Sequence, residues 1–275
     1  MNPDGIVHHP TAFSLGPLPE VTGFGLAVLL GFVIAQIICQ RELWRRGYDY
    51  EADSIPDLVI AALVGTLIGA KLYYAALTGD ISSIFSRGGF VFWGGFMGSV
   101  VLCWLVIRWK KLNFLRIADV AGLAIAAGYA VGRTGCWAVG DDYGRPWSGP
   151  FSVKFPEGAP ASTAINMTQQ FGVQFAPGTD PLSVIAVHPT QIYESIMGFG
   201  MFMLLWRFRK HQKAEGWLFG LWCVVAGLER FVVEFFRAKD DRFIADLTLA
   251  QVIGLVIAVT GAVVMAGKRR RLDLA

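Results

Sequence analysis

The chain has 275 residues, of which 54% are hydrophobic and 16% are charged, and its formal net charge at pH 7 is +3. A charged fraction well below the roughly 25% of average domains excludes an ordinary water-soluble fold. The composition therefore predicts an integral membrane protein, and the small net charge adds no reason to expect a nucleic-acid partner.

Seven apolar segments follow one another along the chain, and each is long enough to cross a hydrocarbon core of roughly 30 Å as a helix. They cover Val21–Cys39, Asp57–Leu77, Gly89–Ile107, Ile117–Val139, Thr190–Trp206, Gly216–Phe235 and Leu247–Ala266. We therefore predict an all-α polytopic membrane protein that forms one domain over residues 1–275.

The lysines and arginines between these segments are distributed unevenly. Fifteen of the 24 basic residues follow the first, third, fifth and seventh segments. Because such residues concentrate in cytoplasmic loops, we expect the N-terminus outside and the C-terminus in the cytoplasm. The basic runs Arg207–Lys213 and Lys268–Arg271 are then topology signals and anchors for anionic membrane lipids rather than nucleic-acid sites.

The longest connection, Gly140–His188, contains six of the twelve prolines and short β-prone pieces. Connections of this length are usually functional or disordered. Since its two ends carry motif-like stretches, we expect residues 140–188 to form a small irregular or β cap on the outer face, able to act as a lid.

Two arginines, Arg133 and Arg230, lie inside apolar segments, near the outer end of each. A guanidinium keeps its charge, so at the membrane centre it costs at least roughly 2.5 kcal/mol unless it faces a partner or a polar cavity. Glu234 lies one helical turn after Arg230, on the same face. With so few carboxylates nearby, we expect surplus positive charge that suits a lipid phosphate; the alternative is a buried ion-pair ladder that only fixes helix packing.

Two further stretches belong to the same outer layer. Residues 132–146 carry four glycines where a helix leaves the membrane, and free backbone amides in such a turn can bind an anion. His188 precedes a proline and a new helix; it is a candidate general base, or it anchors the loop. The cysteines Cys39, Cys103, Cys136 and Cys223 show no C-x-x-C spacing, so we expect neither a disulfide nor a metal site.

Four motifs in this order resemble the prolipoprotein diacylglyceryl transferases of bacterial cytoplasmic membranes. They are Gly23–Leu26, Arg87–Phe96, Gly132–Pro146, and His188–Glu194 followed by Arg230–Arg237. The resemblance implies seven helices, an inner-membrane location with the site toward the periplasm, and transfer of diacylglyceryl from phosphatidylglycerol to the lipobox cysteine of a preprolipoprotein signal peptide. A thioether forms, glycerol phosphate leaves, and no cofactor or metal is required.

The resemblance also implies roles for individual residues. Arg133 and Arg230 match its essential arginines, Gly144 its motif glycine, and Glu194 and Glu234 its glutamates. Phe24 stands where the family often has Tyr, Trp93 where many members have His, Cys136 where Asn is typical and Asp141 where Glu is typical. We expect these residues, with Gly94 and Gly95, to contact substrate.

The base that takes the thiol proton is open among His188, Asp141 and Glu194, and His188 is placed slightly ahead. The other hypotheses are a catalytically impaired member that only binds lipid or signal peptide, and, more remotely, a seven-helix transporter.

Overall fold

Helices make up most of the computed structural model, which describes residues 5–13, 21–86, 89, 91–211, 213–238, 242–244 and 247–267. Each of the seven predicted segments contains a long α-helix, although the short strands Val21–Thr22 and Leu247–Thr248 occupy the first residues of the first and the last segment. The helices are α1 (Gly23–Arg45), α2 (Asp49–Asp53), α3 (Ile55–Thr78), α4 (Phe92–Trp109), α5 (Phe114–Val139), α6 (Ala164–Phe171), α7 (Thr190–Phe208), α8 (Trp217–Val233) and α9 (Leu249–Gly267), with a short 3-10 helix at Ile81–Phe85.

Five stretches among the described residues are long and apolar enough to cross a membrane: α1, α2 with α3, α4, α5 and α9. The prediction of a helical membrane protein is therefore confirmed. The helices α7 and α8 are not among these five, and they carry charged residues such as Glu194, Glu229 and Arg230. Seven spans and their orientation stay a prediction.

The chain divides into two compact units, residues 36–121 and residues 1–35 with 122–275. In the first unit, α3 and α4 approach closely because glycines face each other. A Cβ at Gly94 would lie 2.4 Å from the Gly69 carbonyl oxygen, and one at Gly98 would lie 2.2 Å from that of Gly65. The single domain expected from the sequence stays a prediction.

In the second unit, α5 contacts α1, α7 and α8. A Cβ at Gly135 would lie 2.7 Å from the Ala27 side chain of α1. The Ser195 hydroxyl of α7 donates to the Ala130 carbonyl at 2.8 Å, and the Tyr129 hydroxyl donates to the Glu229 carboxylate of α8 at 3.1 Å. These bonds hold the C-terminal half of α5 in register with the helices that carry the charged residues.

Short strands complete this unit. They are β1 (Ile6–Val7), β2 (Ala12–Phe13), β3 (Val21–Thr22), β4 (Val153–Lys154), β5 (Arg242–Ile244) and β6 (Leu247–Thr248). β1 pairs with β4 in parallel, and the antiparallel pairs are β2 with β3 and β5 with β6.

The connection 140–188 contains β4 and α6 and has a hydrophobic core of its own, formed by Tyr143, Val153, Phe155, Met167 and Val187 with Ala238. Phe155 and Val187 are fully buried. These buried side chains give the segment a packed core, while its expected position as an outer cap or lid stays a prediction.

Candidate active site

Arg133 reaches the candidate site from the last turns of α5. Its side chain is 11% exposed, and its guanidinium forms ion pairs with Glu194 of α7 and, at 2.9 Å, with Asp142. Its Nη1 also lies 3.4 Å from the Cys136 sulfur, one turn further along α5. The cost of burying this arginine is therefore offset by carboxylates from two other parts of the chain.

The turn after α5 is held in an unusual backbone conformation. Gly140 has φ 69°, and Asp142 has φ 55°, a left-handed value that few residues other than glycine adopt. The first residues of α7 fix it: the Thr190 hydroxyl donates to the Asp142 carbonyl at 2.7 Å, and the Gln191 amide donates to the Asp141 carbonyl at 2.5 Å. Strain of this kind persists where the surrounding structure enforces it, and it is concentrated at functional sites.

Glu194 is the central carboxylate of the cluster and is 1% exposed. It contacts guanidiniums from three places: Arg133 of α5, Arg230 of α8 at 3.9 Å, and Arg237 after α8 at 3.5 Å. The two motif arginines that the sequence singled out are therefore brought together on one carboxylate.

Glu234 binds the other side of the cluster. It lies 2.7 Å from Arg230, one turn earlier, and 3.8 Å from Arg237. The side chain of Arg230 is 35% exposed, against 18% for Arg237 and 11% for Arg133. Arg230 is thus the guanidinium most accessible from outside the cluster.

The expected surplus of positive charge was wrong. Three arginines meet three carboxylates, because Asp142 bridges Arg133 at 2.9 Å and Arg237 at 3.0 Å. The carboxylates expected from the sequence near these arginines did not include Asp142. The left-handed backbone conformation of Asp142 directs its carboxylate at the guanidiniums. Formal charges therefore balance among these six side chains, and each of the three guanidiniums already has a carboxylate partner.

Asp141 lies beside this network rather than inside it. One ligand atom each of Cys136, Asp141 and Asp142 lies within 4.8 Å of the others. Burial and the neighbouring Asp142 charge raise the pKa of Asp141 to about 6. Burial also raises the pKa of Asp142, but Arg237 and Arg133 outweigh it, so its pKa is lowered overall. Asp142 is the charged partner of the arginines, and Asp141 can exchange a proton near neutral pH.

This group of a thiol and two carboxylates has the composition of a metal site. However, the Arg133 guanidinium already contacts both Cys136 and Asp142. A cation in that position repels a metal ion, so the arrangement disfavours metal binding at these three side chains.

His188 lies in an aromatic cluster. Its ring stacks on Trp147 with 4.3 Å between centroids, its Nδ1 is 3.2 Å from the Tyr193 hydroxyl, and Phe236 packs on it edge to face. Burial lowers its pKa below 6.5. Among the described contacts none joins its ring to the arginines, and its role as base stays a prediction.

Gly144 allows its own backbone to approach the segment that follows α8. Its amide donates to the His188 carbonyl at 2.8 Å, and a Cβ there would lie 2.3 Å from the Phe236 carbonyl oxygen. Its expected role in substrate binding stays a prediction; its observed role is to let two backbone segments meet.

The remaining predicted residues lie in two places. Phe24 of α1 is 41% exposed, and its backbone packs against Gly135 of α5. Trp93, 51% exposed, and the buried Gly94 and Gly95 belong to the unit of residues 36–121. Their contact with substrate stays a prediction. Of the motif around them, Arg87, Gly88 and Phe90 lie outside the described residues, as do Lys268–Arg271.

Several residues of the site were not assigned a role from the sequence. No sequence pattern indicates a role for Asp142 or Thr190, because their contact joins a turn and a helix start that are far apart in the chain. Tyr129 and Glu229 could have been found from the sequence, because both lie inside apolar segments. Tyr129 is four residues before Arg133, and Glu229 is one residue before Arg230. Their hydrogen bond joins α5 to α8 at positions close in sequence to those arginines.

Comparison with known proteins identifies the family of this chain. The family model described as prolipoprotein diacylglyceryl transferase matches residues 10–267. A protein of Xanthomonas oryzae pv. oryzae named phosphatidylglycerol–prolipoprotein diacylglyceryl transferase is 32% identical over 95% of this chain and 91% of its own length. Proteins with the same name from Clostridium tetani (31% identical, covering 92% of this chain and 94% of their own) and Nitratidesulfovibrio vulgaris (28%, covering 92% and 91%) are also similar.

The match covers the whole ordered site, from α1 to the residues after α8, and nearly the full length of each relative. This chain therefore belongs to the prolipoprotein diacylglyceryl transferase family.

Proposed function

We propose that the protein transfers the diacylglyceryl group of phosphatidylglycerol to the lipobox cysteine of a preprolipoprotein. The sulfur bonds to the glyceryl carbon that carries the phosphate ester, and the bond from that carbon to oxygen breaks. The thiol proton passes to a base, and glycerol phosphate leaves with the electron pair. The observation that carries this proposal is a cluster of three guanidiniums around one buried carboxylate, at the ends of apolar helices.

Arg133 and Arg230 supply the electrostatic part of the reaction. The phosphate diester of the lipid carries one negative charge, and a second develops as it becomes a monoester leaving group. Guanidiniums held in place before the reaction stabilise such a charge without reorganising. Arg230 is the more exposed of the two, so it meets the phosphate first, while the buried Arg133 is fixed by Glu194 and Asp142.

Asp141 is the base in this proposal. A pKa of about 6 leaves it mainly deprotonated at pH 7 yet able to accept a proton, which is what a general base requires. Glu194 is engaged by three guanidiniums, and His188 is bonded to Tyr193 and stacked on Trp147. We therefore place Asp141 ahead of both as the acceptor of the thiol proton.

The position in the membrane follows from the loop charges. With seven spans, the N-terminus outside and the C-terminus in the cytoplasm, the cluster lies toward the periplasmic face of the inner membrane. Residues 140–188 then cover it from outside, where the signal peptide and the lipid headgroup arrive. The ordered core of this cap and its backbone bonds to the end of α8 support that placement.

The test is a transfer assay in membranes that contain labelled phosphatidylglycerol and a lipobox peptide. We expect label on the peptide, no label when its cysteine is replaced by serine, and loss of transfer in Arg133→Ala. The matched control is Arg209→Ala, at the opposite end of α7 and about 22 Å along the helix from Glu194. Folded wild-type protein that binds lipid or peptide without transfer would support a binding-only role instead.

A transporter would behave differently in the same preparation. It would carry a solute across sealed vesicles under an ion or pH gradient and would form no covalent product. Such flux without labelled peptide would contradict the proposed transfer.

A further inference from the structure

Asp142 differs from the other two carboxylates of the cluster in its exposure. Its side chain is 43% exposed, whereas Glu194 and Glu234 are 1% and 2% exposed. An anion that approaches the arginines from outside therefore meets Asp142, and Asp142 is the carboxylate with room to move away.

The way Asp142 binds the arginines resembles the way a phosphate would bind them. One carboxylate oxygen contacts Arg133 Nη1 at 2.9 Å, and the other contacts Arg237 Nη2 at 3.0 Å. Two oxygens on one centre, each facing a different guanidinium, is also the arrangement in which arginines bind phosphate oxygens. Arg230 lies beside this pair, since it shares Glu194 and Glu234 with Arg237.

The backbone of Asp142 is held independently of its side chain. Its carbonyl accepts the Thr190 hydroxyl, and the preceding carbonyl accepts the Gln191 amide. The carboxylate can therefore leave the guanidiniums by side-chain rotation, while the left-handed turn stays in place.

We propose that the Asp142 carboxylate occupies the position of the substrate phosphate in the lipid-free protein and is displaced from Arg133 and Arg237 when phosphatidylglycerol binds. Asp142 is then a positioning residue that keeps both guanidiniums paired and oriented between turnovers. It also sets the affinity for anionic headgroups, because every phosphate must compete with it. This inference rests on the proposed function, in which Arg133 and Arg230 bind the lipid phosphate, and it adds Arg237 as a further guanidinium in contact with that phosphate.

The test compares Asp142→Asn with wild-type protein in nanodiscs. The amide keeps the shape of the side chain but removes the competing charge, so we expect the KM for phosphatidylglycerol and the Ki of glycerol phosphate to fall together, by roughly 3- to 10-fold. The Ki of diacylglycerol, which has no phosphate, should not change. Asp180→Asn, an exposed carboxylate of the cap that binds its own turn, is the matched control.

A role of Asp142 in folding alone would give another result. Asp142→Asn would then unfold at lower temperature, with unchanged or higher KM and Ki values, and the inference would be overturned. If the variant does not fold, the structure of wild-type protein with glycerol phosphate decides the question. The phosphate should lie between Arg133 and Arg237 with Asp142 turned away, whereas an Asp142 that still bridges both arginines would refute displacement.

Failure of the proposed function is distinguishable from failure of this inference. If wild-type protein transfers no diacylglyceryl group and glycerol phosphate does not bind, the proposed function fails. If wild-type protein is active and inhibited by glycerol phosphate but Asp142→Asn shifts neither constant, only the displacement model fails.

Discussion

Arg133 and Glu194 form a buried ion pair between α5 and α7, and this pair brings together two motifs that are separated by the whole cap. Both groups are nearly inaccessible, so neither can be hydrated if its partner is removed. The pair is therefore both the centre of the candidate site and a contact on which the packing of α5 against α7 depends.

Replacing Glu194 with Gln should destabilise the protein. It leaves Arg133 with Asp142 as its carboxylate partner and removes a contact from Arg230 and Arg237. Breaking a buried pair costs about 3–5 kcal/mol, which denaturant unfolding in detergent would measure. The control is Glu157→Gln, whose pair with His9 is 67% exposed on the glutamate side; such pairs contribute little. Equal stability of the two variants would contradict the central role of Glu194.

Lysine cannot replace arginine at the two motif positions. An ammonium keeps the charge but has no planar fork that binds two oxygens at once. We expect Arg133→Lys and Arg230→Lys each to lower kcat by roughly 100-fold, the scale found when one preorganised donor is lost. Arg209→Lys at the other end of α7 should retain activity. A loss seen only in KM would mean that the arginines bind the ground state and transition state equally.

The base can be identified from the pH dependence. Asp141 has a raised pKa of about 6 and accepts a proton only when deprotonated, so kcat/KM should rise as the pH increases through about 6. Asp141→Asn should remove this acidic limb of the pH profile, the rise in kcat/KM near pH 6. The later rise near pH 8.5, which comes from the substrate thiol, should remain.

His188→Asn is the companion variant for this experiment, because His188 is the other candidate base and burial lowers its pKa. We expect it to keep the limb near pH 6. A limb that persists in Asp141→Asn and disappears in His188→Asn would assign the base to His188.

Two glycines of one motif should respond differently to alanine. At Gly144 a Cβ would lie 2.3 Å from the Phe236 carbonyl and 2.7 Å from the His188 side chain, so Gly144→Ala must separate the cap from the end of α8. At Gly132 a Cβ has no described neighbour within 4 Å, and alanine there favours the helix by roughly 0.5–1 kcal/mol. The midpoint temperature of thermal unfolding should fall for Gly144→Ala only. A stable but inactive Gly144→Ala would instead place Gly144 at the substrate.

The orientation can be tested with reporters. A fluorescent protein fused after the C-terminus should fold and fluoresce, because that end is expected in the cytoplasm, whereas a periplasmic phosphatase inserted near Asp180 of the cap should be active. The opposite pattern would reverse the topology, and with it the face on which lipid and signal peptide arrive.

The sequence by itself determined the helices and the residues that had to be polar inside them. Long apolar runs form helices in a membrane because every backbone group must be bonded within the segment. A charge inside such a run, as at Arg133 and Arg230, requires a partner wherever the chain folds. For this reason the membrane class, the helix positions and both arginines could be predicted without a structure.

Only the tertiary structure decided which carboxylates meet those arginines. Glu194 was expected near them, but Asp142 reaches them through a left-handed turn that Thr190 and Gln191 hold, and no local pattern encodes that turn. The expected surplus of positive charge was wrong for the same reason. Charge balance in a buried cluster depends on distances between helices, and those distances are fixed by packing contacts between residues far apart in the chain.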